Sequence, residues 1–107
     1  MSFIYIASPY THKLQEVVDR RFKAAEDFTA MCLMKGMHVY SPIVHCHELA
    51  AKYDLPHDFD YWGSYNRAML CKASKMIVMR IDGWECSKGV QSEIEFAKQC
   101  GIEVEYE

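Results

Sequence analysis

Two glutamates stand close together near the C-terminus, and only one of them has a water-facing place to go. They lie in Ser87-Lys88-Gly89-Val90-Gln91-Ser92-Glu93-Ile94-Glu95-Phe96-Ala97, just after Asp82-Gly83 closes an apolar run. Ser87 is a suitable N-cap and Gly89 a flexible first-turn residue, so a helix is expected from there. At about 100° per residue, Val90, Glu93, Ile94, Phe96, Ala97 and Cys100 fall on one side, and Lys88, Gln91, Ser92, Glu95, Lys98 and Gln99 on the other. Glu95 is a solvated residue. Glu93 sits in the apolar arc, where an ionised carboxylate costs several kcal/mol unless it is paired, protonated or used. The structural alternative is an ion pair with Arg67 or Arg80, or a cap on a nearby loop.

Other reactive residues make weaker patterns. His45-Cys46-His47 on an extended segment would point both imidazoles one way and the thiol the other, with no second ligand pair at zinc-like spacing, so no metal is expected. The five cysteines are odd in number and form no CxxC pair, which fits a reduced, cytoplasmic setting better than a disulfide framework. Tyr10, Tyr61 and Trp62 can stack on a nucleobase or pack a helix onto the core. His12 and His57 read as loop residues. Arg20 and Arg21 read as a solvated helix face, with Arg21 able to meet a partner subunit.

The elements that must position these groups follow from periodicity. Residues 3–7 form a short apolar, aromatic run ended by Ser8-Pro9, the pattern of a buried strand. Residues 13–35 switch to helical spacing, with Leu14, Val18, Phe22 (beside Val17), Ala25, Phe28, Thr29 and Cys32 inward and Gly36 as the C-terminal cap. Residues 37–40 make a second strand closed by Ser41-Pro42. Residues 43–56 are less regular, with a short helix expected over 47–53 and a loop at Asp54-Leu55-Pro56-His57. Asp58 is the expected N-cap of a helix reaching Cys71. A third strand is expected over 75–81, the Glu93 helix over 88–99 and a last strand over 101–106. This alternation predicts an α/β fold: a three-layer, flavodoxin- or Rossmann-like parallel sheet of about four to five strands with helices on both faces. Ligands in such sheets bind beyond the C-terminal strand ends. One cleft is therefore expected, formed by Ser8-Pro9-Tyr10, the segment after Ser41-Pro42, and the stretch from Asp82 to Gly89, with Glu93 in reach.

Composition narrows the partners. Half of the 107 residues are apolar and a quarter charged, which makes one globular domain over 1–107, with no repeat or linker. The net charge of −3 and scattered basic residues argue against duplex nucleic acid. No apolar run approaches the roughly 18 residues of a membrane span. Met1-Ser2-Phe3-Ile4 lacks the basic start of a signal peptide.

Three segments together resemble the nucleoside 2-deoxyribosyltransferase-like superfamily, most of all its small, poorly characterised phage and bacterial branch. Ile4-Tyr5-Ile6-Ala7-Ser8-Pro9-Tyr10 is similar to the IYLAGP opening strand. Met76-Ile77-Val78-Met79 is similar to the helix-preceded strand, and Gly83 through Glu93 to the D-S-G-x-x-x-E-[IL] element. The resemblance spans nearly the whole chain. It implies that Glu93 is a nucleophile at C1′ of a ribosyl or deoxyribosyl group, which suits an oxocarbenium-like transition state split into two steps. It implies that Tyr5 hydrogen-bonds and orients Glu93. Together with the cleft expected at the strand ends, it gives Ser8, Pro9, Tyr10, Asn66, Asp82, Trp84, Ser87 and Gly89 as the expected substrate contacts. Ser87 occupies the place where transferases carry aspartate and nucleotide hydrolases a serine that contacts a 5′-phosphate. With Lys88 and helix-start N–H groups beside it, a 5′-phosphorylated substrate is slightly favoured.

Two departures accompany the resemblance. Asn66 stands where family members place a supporting aspartate, and asparagine hydrogen-bonds but does not act as a base; Asp58 or Asp60 are the nearby acids. The C-terminal segment that lends a residue to a neighbouring subunit's site is expected to be shortened. Two functional classes stay open. One is a deoxyribosyltransferase or nucleoside/nucleotide N-glycosidase, requiring no metal or organic cofactor. The other is a non-catalytic module that binds or sequesters a nucleotide in the same cleft. Either is expected to bind a small nucleoside or nucleotide and to form a homodimer or larger oligomer.

Overall fold

A strand covered on both faces must be apolar at successive positions rather than at alternate ones, and two segments meet that demand. β1 (Ile4–Ala7) and β3 (Lys75–Val78) lie side by side at the centre of a sheet of order β2-β1-β3-β4, with every pairing parallel. β2 (Val39–Tyr40) and β4 (Glu103–Tyr106) are the edges. The computed structural model describes residues 2–56 and 59–107. Asp58, the expected N-cap, and His57 lie outside the described residues.

Among the described residues, four α-helices cover the sheet: α1 (Gln15–Met34), α2 (Pro42–Lys52), α3 (Phe59–Leu70) and α4 (Lys88–Gln99). Period-two alternation sorts the strand side chains between two cores. Tyr5 and Ala7 of β1, with Met76 and Val78 of β3, pack against Leu70 of α3 and Val90, Ile94 and Ala97 of α4. Ile6 points the other way and packs with Ala25 of α1, Met79 and, at the margin, Ile43 and Val44 of α2. The architecture is thus the expected three-layer α/β fold, with a four-stranded sheet. Burial of each large side chain such as Tyr5, Ile6, Leu70 and Met76 contributes about 1.5–3 kcal/mol.

The strands are shorter than expected, because pairing stops where neighbours end. β2 keeps two residues, β3 ends at Val78 rather than 81, and β4 begins at Glu103. Beyond β3 the chain is still held: the Met79 N–H donates to the Ala7 carbonyl at 2.9 Å. Leu14, expected on the inward stripe, is about half exposed because it precedes α1 as its N-cap. Cys100, expected in the apolar arc, is exposed because it is the C-cap of α4. Gly36 follows α1 at φ +80, the left-handed turn for which a glycine there is suited.

The largest correction concerns residues 42–46. They are not extended; they are the first turns of α2. Ser41 accepts the Val44 N–H at 3.2 Å and Pro42 occupies the first turn, where its missing N–H costs nothing. His45, Cys46 and His47 therefore radiate around a helix, about 100° apart, instead of alternating. Among the described residues no helix is long and apolar enough to cross a membrane.

Candidate active site

The loop between β3 and α4 is built in three short steps. Gly83 adopts φ +90, a 3₁₀ turn (Trp84–Cys86) follows, and Ser87 Oγ accepts the Val90 N–H at 3.2 Å to start α4. One side of α4 then packs on the sheet through Val90, Ile94 and Ala97. Glu93 is carried on that same side, and the Tyr5 hydroxyl donates a hydrogen bond to its Oε2. Tyr5 is fully buried, on β1, and so cannot swing away.

Burial sets the electrostatics of this pair. It pushes the Glu93 carboxyl up from the usual 4.5 to about 7, with the Tyr5 hydrogen bond pulling the other way. Glu93 retains some solvent contact, but its carboxyl is walled by protein densely enough for desolvation to dominate. Tyr5 is held well above the ordinary phenol range, first by burial and then by the neighbouring Glu93 charge and hydrogen bond. At neutral pH the phenol is therefore a fixed donor, while the carboxyl stands between its two protonation states. A group in that condition serves as a nucleophile or exchanges a proton near pH 7. The ion-pair alternative is not realised: among the described residues the salt bridges are Lys23–Asp27, Lys52–Glu48 and Lys75–Glu105, and none includes Glu93.

Around the pair lie residues that sequence reasoning did not single out. The Tyr40 ring lies 6.0 Å from that of Tyr5, and its hydroxyl donates to Tyr65 Oη at 3.4 Å. Burial raises the Tyr40 phenol, with Tyr65 adding to it. Burial also raises the Cys46 thiol, partly offset by Tyr40. These three come from β2, α3 and α2, so no local spacing joins them. The Ser41-Pro42 helix start was the available signal, since it fixes where Cys46 falls relative to Tyr40.

Of the other expected site residues, Tyr10 and Asp82 make their contacts on the α1 and α2 side of the sheet, and Asn66, Trp84, Ser87 and Gly89 lie on the α3 and α4 side. Ser8 and Pro9 are buried at the end of β1, and Ser8 Oγ has no partner. Tyr10 Oη is bonded to His47 Nδ1, and the His47 ring stacks on Phe22 at 4.0 Å, so Tyr10 ties the β1 loop to α2 and α1. Asn66, on α3, has a buried Oδ1 without a partner. Trp84 packs at the margin of the core beneath α4, its ring 5.8 Å from that of Tyr106. Ser87 performs its capping role, Gly89 is partly buried in the first turn of α4, and Lys88 Nζ stands 4.6 Å over the Phe59 ring. Asp82 lies on the α1 side, where its carbonyl accepts from Arg21 Nη2 at 3.3 Å.

Arg21 is therefore no solvated residue: Nη1 also donates to the Thr11 carbonyl at 2.9 Å, joining the loops after β1 and β3. Trp62 Nε1 donates to the Pro56 carbonyl at 2.6 Å, and Trp62 and Tyr61 pack edge-on, away from Tyr10's cluster. All five cysteines are free. Among the described residues no group of three or more His, Cys, Asp or Glu is placed to hold a metal ion.

Hollows open on the surface, two of them lined by described residues. One of about 460 Å³ lies along α1 and α2 and is lined by Phe22, His45, Glu48 and Tyr53 among others. The second, of about 360 Å³, is lined by His12, Arg20, Arg21, Asp82 and Gly83 among others. Glu93 lines neither.

Fold and site together define an α/β protein with a parallel sheet and a buried acid, its pKa raised by burial, hydrogen-bonded to a buried tyrosine. The chain belongs to the family described as Domain of unknown function (DUF1937), which matches residues 2–107. No curated protein matches it.

Proposed function

We propose that this chain cleaves or transfers the N-glycosidic bond of a nucleoside or nucleoside 5′-monophosphate, and that its family is a branch of the nucleoside 2-deoxyribosyltransferase-like superfamily. The observation that carries the reading is the Tyr5–Glu93 hydrogen bond between β1 and α4, joined to the raised Glu93 carboxyl. Tyr5 engages Oε2, leaving Oε1 as the attacking atom. Oε1 forms a bond to C1′ as the C1′–N bond breaks, and the electron pair leaves with the base, which takes up a proton. Water or a second base then attacks C1′ and releases the Glu93 carboxylate. The Ser87 hydroxyl accepts from Val90, which leaves its own hydrogen free for a 5′-phosphate oxygen.

A second reading, a module that binds a nucleotide without chemistry, is favoured by Asn66, whose buried amide oxygen has no partner and cannot replace a carboxylate base. Incubation with a panel of nucleosides, 5′-monophosphates and NAD, followed by chromatography, separates the two. Free base released by the native chain and not by Glu93→Gln supports the enzyme. Tight binding without release, unchanged in Glu93→Gln, supports the module. The proposal includes self-association, supported by the apolar side chains of Leu33 and Met34, which are 56% and 84% exposed at the end of α1.

A further inference from the structure

The sheet order places a topological switch point between β1 and β3. The chain leaves β1 toward β2 on one side and leaves β3 toward β4 on the other. A crevice is expected at the C-terminal ends of such a strand pair. Tyr5 and Glu93 occupy the α4 side of it. The α1 side holds the hollow of about 360 Å³ lined by His12, Arg20, Arg21, Asp82 and Gly83, and neither the capping of α4 nor the Glu93 chemistry uses it.

Several side-chain donors line it, and only part of their capacity is used within the protein. Arg21 is held in place by the Thr11 and Asp82 carbonyls, through Nη1 and Nη2, while its Nε is buried and has no partner. A buried, unpaired guanidinium N–H is costly unless something accepts from it. His12 Nδ1 accepts the Leu14 N–H at 3.0 Å, so the proton of a neutral His12 ring sits on Nε2 and is available to donate. Arg20, exposed on α1, lines the same hollow. Gly83 keeps the approach open: a Cβ there would meet Arg21 Nη2 at 2.2 Å, and its φ of +90 suits only glycine well. Two arginines thus face one aspartate here, in a chain whose net charge is −3.

We propose that this hollow is a binding site for a small phosphate monoester that also carries hydroxyl groups, a sugar phosphate. The Arg20 guanidinium, His12 Nε2 and the second N–H of Arg21 Nη1 or Nη2, beyond the one each gives to a backbone carbonyl, take the phosphate oxygens. The Asp82 carboxylate, which would repel a second anion, accepts from a sugar hydroxyl. The site stands on the α1 side of the sheet and does not depend on the Glu93 chemistry.

The test uses the native chain and ribose 5-phosphate, with inorganic phosphate and ribose as the separated halves, followed through the Arg Nε–Hε NMR signals. A saturable shift of the Arg21 signal with ribose 5-phosphate is expected, at least about tenfold tighter than with ribose, the scale of one charged hydrogen bond. Arg20→Gln, which leaves the Arg21 tethers intact, should weaken binding about fivefold or more, and added salt should weaken it further. Asp82→Asn should narrow the preference for ribose 5-phosphate over inorganic phosphate. Binding should persist in Glu93→Gln, so a failed base-release assay leaves this site standing. No saturable Arg21 shift, or a shift that Arg20→Gln leaves unchanged, overturns the proposal.

Discussion

A carboxyl group with a pKa of about 7 changes charge in the range where most enzymes work, and Glu93 should show this in both rate and stability. As a nucleophile it acts when ionised, so base release should rise with pH through about 7 and level off above it. Tyr5→Phe removes the hydrogen bond that favours the carboxylate. Its acid limb should therefore lie at higher pH than that of the native chain, as a pH–rate profile would record. Stability should move the opposite way. The folded carboxyl binds its proton more tightly than the unfolded one, whose value is near 4.5. The fold is thus undisturbed by this group below about 4.5, loses stability between 4.5 and 7, and carries the full penalty above 7, at about 1.4 kcal/mol per pKa unit. Glu93→Gln removes that penalty while keeping an acceptor for Tyr5. Its melting temperature should exceed that of the native chain at pH 8 by more than at pH 5. An equal difference at both pH values would contradict a buried, shifted acid.

Elements are held at their ends as much as along their faces, and the two glycines of the 82–89 segment, Gly83 in the loop and Gly89 in the first turn of α4, separate these effects. Gly83→Ala forces a side chain onto φ +90 and into the Arg21 guanidinium, so it should cost about 1–3 kcal/mol. Gly89→Ala meets nothing closer than Ser87 Oγ at 3.9 Å in the first turn of α4, and should be neutral or stabilising by up to about 1 kcal/mol. Urea unfolding of the two variants distinguishes them directly. The bounds of α4 were legible to the residue, because Ser87 marks its start and the apolar arc its face. The buried strands β1 and β3 were legible from their unbroken apolar runs. α2 was not, because Ser41-Pro42 suits both a strand end and a helix start, and the extended reading made His45 and His47 look paired. At the site, Glu93 was legible because a charge interrupts an apolar arc, and Tyr5 came with the family resemblance. Tyr40, Cys46 and Tyr65 meet only through tertiary packing. Arg21 read as a surface residue because its partners are backbone carbonyls in two distant loops, which no side-chain pattern announces.

At the scale of the whole molecule, the switch between β1 and β3 has the Tyr5–Glu93 pair on its α4 side and the hollow lined by Arg20 and Arg21 on its α1 side, while both sheet edges are guarded. β2 is only two residues long, and β4 presents Glu103 and Glu105, the latter paired with Lys75 at 3.0 Å, so neither edge favours strand addition. Self-association is therefore expected through helices, at the α1 end that carries Leu33 and Met34. Light scattering should report a dimer or larger species, and Leu33→Asp with Met34→Glu should shift it toward monomer; a native chain that is monomeric at working concentration contradicts this. The central claim is the reaction at C1′, and one measurement addresses it most directly: chromatographic detection of free base from the nucleoside and 5′-monophosphate panel, with the native chain and Glu93→Gln in parallel. The account predicts base from the native chain with at least one substrate and none above background from Glu93→Gln. Equal release by the two, or no release from any substrate that binds, would contradict it.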